Sequence, residues 1–287
     1  MNRTLIRLLA AGAVLALAGT ARAGSIYLTG HDVLLHSGQN DYDNVILDWL
    51  RGAGTPSEIP AASYDIGLVR GFQGVVGSVG SNTLEGYGTI TQRDIADWSA
   101  LDAAARADFS AFLAGVDVLV IPSHRNCGGC DLDSTDADIL EGLAAEIADF
   151  FNAGGDIFAN SGANDPTFYN FLPPGAVASG LPIGGSSGFD CTADGAAIGI
   201  VGGPNCPGAP SMINGFPTHN RFVGFDPDFT VFEVRDDEVI SIGIRDATIG
   251  GGGIDVGGPS PVPEPATLAL MGGGLMLFGG ARRRNRR

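Results

Sequence analysis

Lysine is absent from this 287-residue chain, and all 16 basic side chains are arginines. Eight of those crowd the ends: Arg3, Arg7 and Arg22 at one, Arg282, Arg283, Arg284, Arg286 and Arg287 at the other. Between residues 24 and 261 stand 31 acidic residues against 8 arginines, a net charge of −23. A body so poor in cations cannot displace counterions from a phosphate backbone, which excludes nucleic acid as a partner. The charge serves solubility outside the cell, with divalent-cation binding as a further option. Also missing are an internal repeat, a regular Thr-x-Thr array of the kind that would indicate ice binding, and any uncharged apolar run of the ~20 residues that a bilayer-spanning helix prefers. Hydrophobic residues make up 44% of the chain, enough for a sizeable core, so global disorder is excluded.

The N-terminus carries Arg3 and Arg7, an apolar stretch from Leu8 to Ala18, and the small-x-small triplet Ala21-Arg22-Ala23. This order reads as a secretory signal over residues 1–23, removed before Gly24 by signal peptidase after passage through the translocon. The C-terminus, "VPEPATLALMGGGLMLFGGARRRNRR", places Pro263, Glu264 and Pro265 before an uncharged run of 16 residues, 266–281, and an arginine cluster. Five glycines thin that run, so it makes a marginal anchor. As a transmembrane segment it would leave the arginines cytoplasmic and the acidic body outside.

The tail at 262–287 resembles the PEP-CTERM sorting signal of Gram-negative bacteria. That resemblance implies recognition and cleavage by an exosortase, a membrane cysteine protease. Release to the cell surface or extracellular matrix would follow, with exopolysaccharide as a possible neighbour.

The body alternates strand and helix patterns, which predicts an α/β domain over residues 24–249 with a mainly parallel sheet flanked by helices. Strands are expected at 25–30, 116–122 and 156–162. Helices are expected at 43–54, as one or two pieces within 93–115, and at 134–155, where Ser134 or Thr135 can cap and Gly154-Gly155 stops the helix. Residues 163–220 read as loops. Residues 229–249 read as a C-terminal β-hairpin turning at Asp236-Asp237, and 250–261 as a flexible linker.

"VDVLVIPSH" followed by a helix, "GG" and "DIFANSG" is similar to class I glutamine-amidotransferase-like domains, a flavodoxin-like arrangement. The family places a Cys nucleophile in a G-x-C-x-G elbow. Here that turn is Ala159-Asn160-Ser161-Gly162-Ala163, so the resemblance implies the fold without amidotransferase chemistry.

Four cysteines, Cys127, Cys130, Cys191 and Cys206, allow three pairings. In an oxidising compartment disulfides are the default, and Cys127–Cys130 with Cys191–Cys206 closes the two local loops. A redox pair at "CGGC" is the alternative, although the motif opens no helix. A four-Cys zinc site lacks a second close pair.

All four histidines follow strands or sit in loops, where α/β sheets bind ligands. His31, Asp32 and His36 are ligand-binding candidates beside the first strand. Ser161 with His124 or His219 could serve as nucleophile and base. His and Asp could also hold a divalent metal, although no cofactor is demanded. "DLDSTDADILEG" (131–142) fails as a calcium loop, since Asp136 and Gly142 stand where Gly and Glu are required. The residues therefore point to an exported envelope or matrix protein acting by binding or structure. A secreted hydrolase or metal-dependent enzyme on polysaccharide or an envelope component is the alternative.

Overall fold

Strand β1, Gly24–Thr29, is buried along its whole length because it has a strand on each side and a packed layer on each face. Its alternating side chains divide between two cores, as the two-residue period of a strand requires. Ile26 and Leu28 enter one, and Tyr27 enters the other. The computed structural model describes residues 23–34, 40–71, 84, 86–124, 132–162, 165–215, 217–250 and 253–256. These fall in one compact unit, residues 22–257.

Eleven strands form one sheet. After β1 come β2 (Ile66–Arg70), β3 (Ile90–Asp94), β4 (Val118–Ile121), β5 (Asp156–Ala159) and β6 (Ala178–Pro182). Then follow β7 (Asp190–Cys191), β8 (Asn220–Phe225), β9 (Thr230–Arg235), β10 (Glu238–Gly250) and β11 (Gly253–Val256). The order β3-β2-β4-β5-β1 is parallel throughout. From β1 onward, through β10, β8 and β6, every pairing is antiparallel, and β9, β7 and β11 join the same half. The sheet is thus mixed rather than mainly parallel. Parallel strands need crossover connections, and long helices precede β4 and β5. After β5 the chain runs through residues 160–177 to β6 and through 192–219 to β8, and β9 to β11 then follow one another antiparallel through short turns.

The parallel order is also not the flavodoxin order 2-1-3-4-5 as the chain runs. It becomes that order if β2, β3, β4 and β5 are counted as strands one to four and β1 as the fifth. In this sense the parallel half is circularly permuted.

Among the described residues are five α-helices: α1 (Asn40–Leu50), α2 (Ala103–Leu113), α3 (Ser134–Gly142), α4 (Ala144–Asn152) and α5 (Ala193–Ala197). Helix α1 covers one face through Tyr42, Ile46, Leu47 and Leu50. Helices α2, α3 and α4 supply Phe109, Phe112, Leu140, Ile147 and Phe151 to the other core. The single helix expected over 134–155 is two. It breaks at Leu143, whose φ of −100° and ψ of 9° leave the helical range between Gly142 and Ala144. Its cap is Asp133, not Ser134 or Thr135. Asp133 accepts from the amides of Thr135 and Asp136, and Asp136 returns the bond in a capping box.

The hairpin turning at Asp236-Asp237 is present, with Glu238 opposite Arg235. Part of the expected linker is ordered as β11, paired with β10. The expected signal segment up to residue 22 and the tail, including Pro263, Glu264, Pro265 and the run 266–281, lie outside the described residues. No helix among the described residues is long and apolar enough to cross a membrane.

Asp43, in the first turn of α1, is fully buried, and neither carboxyl oxygen has a hydrogen-bond partner. Burial pushes its pKa up to about 8. The folded chain therefore keeps a proton that the unfolded chain loses above 3.8. Stability should fall as pH rises from about 4 to about 8 and level off beyond, by several kcal/mol in total. Asp43→Asn should flatten this slope, matching the parent near pH 5 and exceeding it above pH 8 in urea unfolding.

Candidate functional site

The carboxyl ends of β1, β4 and β5 converge with the chain entering β8. His31 and Asp32 follow β1, Ser123 and His124 follow β4, Asn160 and Ser161 follow β5, and Thr218 and His219 precede β8. Backbone bonds tie the four segments together. His219 donates to the Gly30 carbonyl at 2.9 Å, Asp32 to Pro217, Ser161 to His31, and His124 to Ser161 at 2.7 Å. Gly30 must lack a side chain, because a Cβ there would lie 1.9 Å from the Asn220 carbonyl oxygen.

His31 is wholly buried and turned away from solvent. Its Nε2 lies 2.9 Å from Glu233 Oε2, and its Nδ1 lies 2.7 Å from Thr218 Oγ1. Tyr27 and Tyr42 both donate to Glu233 Oε1, and Tyr42 also donates to Thr29, which Ser241 reaches at 2.9 Å. Burial alone would raise the Glu233 pKa, but the His31 charge and the hydrogen bonds hold it below the usual carboxylate value. Burial, reinforced by Glu233, pushes both tyrosine hydroxyls well up, so they remain donors. This network fastens β9 to β1 and does the work of a buried ion pair, not of a catalytic base.

Asp32 faces the crevice instead. Ser123 Oγ donates to its Oδ1 at 2.8 Å, and His219 Nε2 lies 3.4 Å from its Oδ2. His219 is about one-fifth exposed, while Asp32 is fully buried. The carboxylate thus stands between hydroxyl and imidazole. A serine hydrolase places the imidazole in the middle, because the base must take the nucleophile's proton. Ser161 Oγ donates to Asn220 Oδ1 at 2.9 Å, and the same oxygen accepts from Gly162 N and Tyr169 OH. His124 Nε2 lies 3.6 Å from Asp165 Oδ2.

The strand ends therefore collect Asp32, Ser123, His124 and Ser161, all buried, with His219 partly exposed beside them, while His31 is committed to the core. His36, Cys127 and Cys130 lie outside the described residues. Among the described residues, three Asp, Glu, His or Cys ligand atoms come within 4.8 Å of one another only at Asp190, Cys191 and Cys206. None of the described histidines belongs to that group. Cys191 and Cys206 are joined in a disulfide, the pairing expected for them.

Two side chains here end in buried atoms with no hydrogen-bond partner: Asn160 Oδ1 and Asn220 Nδ2. Buried polar groups are nearly always satisfied, so a cluster of orphans calls for an ordered water or a ligand's polar group. Sequence reasoning missed Glu233, Asn220, Ser123 and Asp165. Glu233 had a signal, a lone acid inside the apolar strand "FTVFEV"; Asn220 had only its place beside His219.

Residues 261–286 match the model of the PEP-CTERM protein-sorting motif. The motif implies an exported protein processed at the membrane by an exosortase. No curated protein and no solved structure matches the chain.

Glu233→Gln should remove the carboxylate that accepts from His31, Tyr27 and Tyr42 and cost about 1–3 kcal/mol, the usual loss for hydrogen bonds to a charged group. Because the Glu233 pKa is depressed, its contribution is full above the unfolded value of 4.5 and is lost as pH falls through the folded value. Acid unfolding of the parent below pH 4.5 should therefore show a slope that the variant lacks.

Proposed function

We propose that this chain is an envelope or extracellular-matrix protein, cut near Pro263-Glu264-Pro265 and released, whose α/β body acts by binding rather than catalysis. The sorting motif carries the first half of the reading. The second rests on the orphaned Asn160 Oδ1 and Asn220 Nδ2, which offer an acceptor and a donor at the carboxyl ends of the strands, where α/β sheets hold ligands. The amidotransferase-like kinship remains part of this proposal only as a silent scaffold, since the elbow presents Ser161 rather than cysteine. The translocon and signal peptidase act before release, and exopolysaccharide is the natural surrounding afterwards.

A chain tagged in the body and again after Arg287 tests the export reading. In an exosortase-bearing host the body tag should appear outside the cell and the terminal tag should be lost. Glu264→Ala should leave full-length protein in the membrane fraction. Full-length, doubly tagged protein in the cytoplasm would overturn the reading.

One observation favours a second reading, a secreted hydrolase or metal-dependent enzyme. Asp32 is buried between Ser123 and His219, and a buried carboxylate beside a half-open imidazole can hold a general acid in place. Turnover of a polysaccharide or ester substrate that His219→Ala abolishes without unfolding the protein would establish it.

A further inference from the structure

A second concavity lies away from the crevice, on the far side of Phe189. Its volume is about 560 Å³, and Phe189, Asp190, Asn205, Asn214, Val234 and Asp236 are among the residues that line it. Phe189 itself is buried, with its ring 4.9 Å from the His31 ring, so the pocket floor rests on the core network.

The walls are irregular backbone fixed by specific bonds. The Asn214 amide accepts from Phe189 N and donates to the carbonyls of Phe189 and Gly202 at 3.1 and 2.9 Å, joining two segments. Asp190 accepts from the backbone and the side-chain amide of Asn205. The Cys191–Cys206 disulfide closes the loop that carries Gly202 and Asn205. Gly203 fits because a Cβ would lie 2.3 Å from Asp190 Oδ1. The same segment sends Cys191, Ile200, Cys206 and Ile213 into the core, so the pocket wall is anchored from beneath as well as by its hydrogen bonds.

We propose that this pocket binds a neutral, hydroxyl-rich sugar unit. Its polar lining consists of two carboxylates and two amides over an apolar floor. Anions are repelled by Asp190 and Asp236 within a body already strongly negative. A purely apolar ligand would strip water from those carboxylates without replacing it. The Asn214 N–H groups and the Asp190 carboxylate are engaged in the wall, so sugar hydroxyls donate to Asp236 and accept from the second side-chain N–H of Asn205. A cationic amine fits less well, because the Arg235 guanidinium lies 5.2 Å from the Phe189 ring and offsets the negative field. The volume lies within the usual range for small-ligand sites.

The test is calorimetric titration of the oxidised, secreted protein with maltotriose, cellotriose and N-acetylchitotriose. At least one should bind. Asp236→Gly should weaken it about ten- to a hundredfold, the loss of one hydrogen bond to a charged group. Glycine preserves the turn, where Asp236 has a φ of 54°. Asn205→Ala should weaken binding in the same direction, while His219→Ala should leave it unchanged, which separates this pocket from the crevice. Binding of none of the three sugars, binding that survives Asp236→Gly, or salt-sensitive binding of spermidine in their place would each overturn the proposal. None of those results bears on the export reading.

Discussion

The buried contact between His31 and Glu233 is the constraint around which the rest is arranged. A carboxylate in a fully buried site is costly, and the cost is met only because every neighbouring group contributes a bond. Tyr27 and Tyr42 close one carboxylate oxygen, His31 closes the other, and Thr218 takes the second imidazole nitrogen. These residues come from β1, α1, β9 and the segment before β8. The network therefore fixes how the antiparallel half of the sheet meets the parallel half, something that apolar packing alone would specify less sharply.

That arrangement also explains the division of labour among the polar residues near the strand ends. The backbone at Gly30, His31 and Asp32 alternates, so His31 turns into the core while Asp32 turns to the crevice. One residue stabilises and its neighbour faces the possible ligand. Asn220 plays a similar double part. Its Oδ1 gathers Ser161, Gly162 and Tyr169 into one rigid corner, while its Nδ2 is left without a partner. Rigidity and an unmet hydrogen bond in the same side chain are what a preorganised binding surface requires.

Much of this was legible in the sequence, and the rest was hidden for identifiable reasons. The strand at 118–121 is a continuous apolar run, that at 156–159 an apolar triplet after Asp156, and the helix at 40–50 has a clear polar face, so local pattern revealed them. Strand β2 and strand β3 lie in segments of mixed composition without a strict alternation, and only pairing defines them. The mixed character of the sheet depends on where β1 inserts, which is a long-range fact that no local pattern encodes. For the site, strand-end histidines were the right signal for position. They could not distinguish His31, committed to Glu233 about two hundred residues away, from His219, which borders the crevice. The break at Leu143 was equally invisible, since a leucine between two helical runs carries no stop signal.

Consider finally the place of β1. It is the first strand in the chain, yet it sits between β5 and β10, whose paired residues begin at Ile157 and Ser241. The sheet cannot be completed until nearly the whole body is available, because its central seat is filled by the earliest segment and both neighbours come late. Contacts so distant in sequence form slowly, since a long loop must close first. The order of strands therefore postpones the folded state until nearly the whole body has been made, so truncation anywhere before β10 leaves β1 without one of its two neighbours.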